Sequence, residues 1–64
     1  MLRLTRLNGE KIILNPEMVE YLEETPDTVI TLTTGKKLVV RESVSRISEE
    51  MIRYKRRIFA NLKL

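Results

Sequence analysis

The chain has 64 residues, with 12 Lys and Arg against 9 Asp and Glu for a formal charge of +3, and is 42% hydrophobic and 33% charged. Such a length holds one domain, residues 1–64, and such a balance excludes wholesale disorder. Cys and His are both absent, which excludes thiol nucleophiles, imidazole bases, disulfides and the usual zinc-ligand sets, so we expect no enzyme activity, no metal and no cofactor.

Period-two alternation over the first forty residues predicts strands, and turn residues separate them. Leu2 to Leu7 and Glu10 to Leu14 flank Asn8-Gly9, a dipeptide suited to a two-residue type I′ hairpin. That turn would set Leu7 opposite Glu10, Thr5 opposite Ile12 and Leu4 opposite Ile13. Both faces would then mix apolar and charged groups, which leaves the core face undecided. Asn15-Pro16-Glu17 predicts a single capped turn, with Asn as the cap and Pro pre-set behind it. A strand over Val19 to Glu24 leads to a hairpin at Pro26-Asp27, where Pro restricts the backbone. The last hairpin joins Val29–Thr33 to Lys36–Val40 through Thr34-Gly35, with Ile30 opposite Val39, Val29 opposite Val40 and Thr31 opposite Leu38.

From Ser43 the period becomes helical. Val44, Ile47, Met51, Tyr54 and Ile58 recur at steps of three and four along one stripe, with Ser43 or Ser45 as the cap. The expected fold is α+β: a small antiparallel β meander of about five strands over 1–42, one C-terminal amphipathic helix over 43–60 and a tail at 61–64. Met18 and Met51 are read as fillers of core gaps. Ile52 and Phe59 lie off the stripe and are candidates for self-association. A core this small, with no disulfide to reinforce it, favours a homo-oligomer.

No apolar run approaches the ~20 residues of a membrane span, and the alternating start Met1-Leu2-Arg3-Leu4 does not read as a leader. A cytoplasmic location is the expectation. Residues 12–27 carry five acidic side chains and no basic one, whereas residues 41–64 carry seven basic against three acidic. The acidic stretch reads most simply as a solvated face. Arg53, Lys55, Arg56 and Arg57 form the sharpest cluster and a candidate basic patch for a partner. An acidic protein surface, anionic head groups at the inner membrane, or RNA would each be attracted to it. The bland alternative is a helix end complementing its own dipole. The chain has only two Tyr and one Phe, too few for base stacking, which argues against nucleic acid as the partner. Glu23 and Glu24 are neighbours on a strand and point to opposite faces, so they do not converge as an acid and base pair.

The order of these signals carries a resemblance. Leu4-Thr5-Arg6-Leu7-Asn8-Gly9, Leu14-Asn15-Pro16, the run Glu23-Glu24-Thr25-Pro26-Asp27-Thr28-Val29-Ile30-Thr31-Leu32, then Gly35-Lys36-Lys37 and Glu42-Ser43-Val44 resemble the FlbD/SwrD family of small bacterial flagellar proteins, over roughly residues 1–58. The resemblance implies a non-enzymatic role in swarming motility, supporting motor power through the stator units or the flagellar base. An RNA-binding regulator of flagellar expression is the alternative. The resemblance brings no functional residues with it.

Overall fold

Both glycines occupy the same position of the same kind of turn, and this sets the registers of the first and last hairpins. The computed structural model describes the backbone of residues 1–62 and the side chains of residues 1–58. β1 (Leu2–Thr5) and β2 (Lys11–Leu14) pair antiparallel, with Leu2 opposite Leu14 and Leu4 opposite Ile12. Arg6 N–H donates to the Glu10 carbonyl (2.8 Å) and Gly9 N–H to the Arg6 carbonyl (2.9 Å), so the loop is Leu7-Asn8-Gly9. Gly9 has φ +93°, while among the described residues no other residue type has positive φ. Asn8 therefore lacks the left-handed conformation that a type I′ turn requires, and its Oδ1 instead accepts from Glu10 N–H at 2.9 Å. The expected two-residue loop is corrected to a three-residue loop closed by Gly.

The last hairpin requires the same correction. β4 (Thr28–Leu32) pairs with β5 (Lys37–Val40) so that Ile30 lies opposite Leu38 and Val29 opposite Val39. Leu32 N–H donates to the Lys36 carbonyl and Gly35 N–H to the Leu32 carbonyl, each at 2.8 Å, with Gly35 at φ +91°. A one-residue shift re-sorts every side chain between faces. In the observed registers Leu2, Leu4, Ile12 and Leu14 share one face of their hairpin, while Ile30, Leu38 and Val40 share one face of theirs. The core face left open by the sequence is thereby settled.

Between these hairpins, Asn15 caps a 3-10 turn over Pro16–Met18, its Oδ1 accepting from Glu17 N–H at 3.0 Å. β3 (Val19–Glu24) then pairs with β4, with Leu22 opposite Ile30 and Glu24 opposite Thr28, through a loop whose Thr25–Pro26 bond is cis. A bulge between Val19 and Tyr21 lets Val19 and Leu22, three residues apart, both pack against the core. The meander is divided into a two-stranded sheet, β1-β2, and a three-stranded sheet, β3-β4-β5. An isolated bridge between Arg6 and Val40 joins the end of β1 to the end of β5.

Leu2, Leu4, Ile30, Leu32, Leu38, Val40 and Ile47 form one buried cluster. Ile47 comes from α1 (Val44–Leu62) and is 1% exposed. Met18 and Met51 pack on this cluster, as expected of gap fillers. Ser43 caps the helix, its Oγ accepting from Arg46 N–H at 3.2 Å, while Glu24 reaches from β3 to accept Val44 N–H at 2.9 Å. The first turn of α1 has no acidic residue of its own, so Glu24 places a carboxylate where the dipole favours one. The helix extends to Leu62, two residues beyond the expected end.

Among the described residues, Ile47 is the fully buried side chain that α1 contributes to the cluster. Its truncation to Ala should cost about 2–5 kcal/mol, comparable to the ~3–5 kcal/mol that a core of this size supplies. Thermal unfolding followed by circular dichroism should show Ile47→Ala losing its cooperative transition. A melting point lowered by only a few degrees would show that α1 is held by something else.

Candidate functional site

The candidate surfaces lie along α1, and their shape depends on how the helix start is fixed. Arg41 and Glu42, immediately before the helix, grip the end of β1. Arg41 N–H donates to the Thr5 carbonyl (2.8 Å), and the Arg41 guanidinium donates to the Leu7 carbonyl (2.7 Å). Thr5 in turn donates its N–H to Glu42 Oε1 and its hydroxyl to Glu42 Oε2, both at 2.8 Å. Lys11 Nζ donates to the same Thr5 hydroxyl oxygen at 3.2 Å. Partial burial works to raise the Glu42 carboxyl, but the two Thr5 donors, its own backbone N–H and the Arg46 charge outweigh burial and hold it below the ordinary 4.5.

From this anchor α1 runs between β1 and β3, the two strands it contacts most, and a groove opens on each side. On the β1 side, Arg3 of the strand and Arg46, Glu50, Arg53, Tyr54 and Arg57 of the helix line a groove of about 280 Å³, with Met1 at its edge. Arg46 Nε lies 3.7 Å from Glu50 Oε1. The other ion pair among the described residues, Arg6 with Glu10, is in the first hairpin. On the β3 side, Val19, Glu20, Tyr21 and Leu22 face Val44, Ser48, Met51, Ile52 and Lys55 across a wider groove of about 550 Å³ with a more apolar lining. Tyr21 and Ile52 are 57% and 51% exposed there.

The basic patch expected from consecutive residues is divided by the helical period. Arg53 and Arg57 turn to the β1 groove and Lys55 to the β3 groove. Arg56 is exposed and lines neither. Arg3 and Arg46 complete the cationic side, and the sequence reading missed both. Arg46 was legible, since it precedes Arg53 by two helical turns; Arg3 was not, because only the tertiary fold brings β1 alongside. The dipole explanation of the patch also fails on length. Arg57 is followed by more than a turn of helix, and dipole stabilisation is confined to the last turn. Ile52 is exposed, as its place off the apolar stripe implied, whereas the side chain of Phe59 lies outside the described residues. Glu23 and Glu24 do not converge, and Glu24 serves the helix start.

A family model described as flagellar and swarming motility proteins, FlbD, matches residues 1–59. The chain belongs to the FlbD family. No curated protein and no solved structure matched it. For this FlbD member, the match spans all three hairpins, the Arg41–Glu42 grip and every helix residue that lines the two grooves.

Glu42 ionises more readily in the folded chain than in the unfolded one. Its stabilisation is therefore fully present above the ordinary 4.5 and is lost as pH falls from there through the lower folded value. In urea titrations, Glu42→Gln should lie about 1–2 kcal/mol below the parent near neutral pH, with the gap closing in acid. A gap independent of pH would show that the carboxylate charge does not hold Thr5.

Proposed function

We propose that this flagellar and swarming motility protein is a non-enzymatic accessory that supports motor power, docking at the stator units or flagellar base from the cytoplasmic side as a self-associated unit. The observation that carries the reading is the unequal pair of grooves along α1, one cationic and one apolar, on a helix longer than its own sheet contact requires. A 19-residue helix is about 28 Å long, and among its described side chains, up to residue 58, Ile47 is the fully buried one. The exposed side chains of residues 44–58 present surface to partners. The cationic side, with Arg53 and Arg57, meets an acidic surface at the motor, where charge complementarity sets orientation and encounter rate.

The apolar side serves self-association. The seven buried hydrophobic side chains among the described residues make a core marginal for independent stability, and a second copy would cover Tyr21 and Ile52. Glu20 and Lys55 lie on opposite rims of the β3 groove. A two-fold pairing would set the Lys55 rim of one copy against the Glu20 rim of the other, the self-complementary arrangement that isologous contacts require.

Two measurements test these assignments. In cells carrying Arg53→Glu/Arg57→Glu, whose folding is checked by circular dichroism, swarm expansion and motor torque under load should fall several-fold; undiminished motility rejects the docking role. Light scattering at micromolar concentration should give a mass above that of one chain, reverting to a monomer with Ile52→Glu. A monomeric parent protein rejects self-association.

A further inference from the structure

We propose that the arginine groove between β1 and α1 is a binding site for a phosphate-ester anion. The inference names a ligand chemistry for the cationic side of α1 and rests on the docking reading for its biological setting only, since its geometry stands apart from motility. Four guanidinium groups line one small concavity, three from α1 at positions 46, 53 and 57 and one from β1 at position 3. The single carboxylate among them, Glu50, is engaged by Arg46 at 3.7 Å. Three positive charges are thus left in excess over Glu50 within the groove.

That excess is not compensated by an ion pair among the described residues. It lies away from the last turn of the helix, so the macrodipole does not reward it. Arg53 and Arg57 are four residues apart on one helical face, a like-charge spacing that disfavours the helix. An anion in the groove would convert this repulsion into attraction.

The choice of phosphate follows from donor geometry. One guanidinium fork can saturate a planar carboxylate, whereas a phosphate ester offers several acceptor oxygens arranged tetrahedrally and suits donors converging from a strand and a helix. Tyr54 also lines the groove. The volume of about 280 Å³ falls just below the usual small-molecule range, a fit for a head group or a small soluble ester rather than for a peptide helix. Both sources share the phosphate chemistry, and Met1, 64% exposed at the rim, would meet the acyl boundary in the lipid case.

Purified protein decides the matter with two probes. The first is the melting temperature in sodium pyrophosphate against sodium chloride at equal ionic strength. The second is co-sedimentation with phosphatidylcholine vesicles, with and without phosphatidylglycerol. Saturable binding of either anionic probe is expected: pyrophosphate alone identifies a soluble phosphate anion, and vesicles alone identify a head group. Arg53→Gln/Arg57→Gln should weaken that binding by about ten-fold or more, and Arg3→Gln should weaken it too, although it is remote in sequence. Lys36→Gln/Lys37→Gln removes the same charge outside the groove and should leave binding unchanged. Failure of both probes, equal loss in the two double variants, or saturable binding to single-stranded RNA alone would overturn the site. Because no motor component is present, this result is independent of the swarming outcome.

Discussion

The grip of Arg41 and Glu42 on Thr5 and Leu7 is the contact on which the remaining architecture depends. Four hydrogen bonds of 2.7–2.8 Å join the residues just before α1 to Thr5 at the end of β1 and Leu7 in the loop after it. At the same place the Arg6–Val40 bridge ties one sheet to the other. A two-stranded hairpin is marginal by itself in water, and β1-β2 gains its stability by placing Leu2 and Leu4 in the cluster built by β4, β5 and Ile47. The carboxylate of Glu42 holds both donors of Thr5, its N–H and its hydroxyl, and lies within the field of Arg46. The origin of the helix is therefore coupled electrostatically to the strand beside it, and the cationic groove lies between that strand and the helix.

The two sides of α1 differ because helical periodicity separates what the chain writes consecutively. Residues 53 to 57 read as one basic block, but a step of 100° per residue sends Arg53 and Arg57 to one flank, Lys55 to the other and Arg56 outward. The same rotation leaves Ile52 on the side of the β3 groove, next to the exposed Tyr21. β3 is an edge strand, and its bulge and its exposed Glu20 and Glu23 are the usual means of preventing indiscriminate pairing at a sheet edge. Pairing at the open backbone of β3 is thereby discouraged.

Much of the fold was legible from spacing alone. The five strands, the Asn15-Pro16 turn and the helix stripe through Ile47 and Met51 all follow from period and turn chemistry. Both registers were misread by one residue for a single reason. Asn-Gly and Thr-Gly are each compatible with a two-residue loop, yet both loops here use only the glycine at positive φ, and the side chain of the preceding residue bonds forward to the backbone instead. Packing decides between these options, because only the observed pairing gathers Leu2, Leu4, Ile12 and Leu14 on one face.

The amino-acid sequence by itself determined the element types, the apolar stripe of α1, the surplus of Arg and Lys in the second half and the membership that the ordered turn motifs announce. These are local properties, written in spacings of two to seven residues. The tertiary structure alone decided which hairpin face is buried, that Glu24 and Glu42 secure the two sides of the helix start, and that Arg3 joins Arg46, Arg53 and Arg57. Each of those facts depends on residues twenty or more positions apart being brought together by burial of a shared core, a constraint that no local pattern encodes.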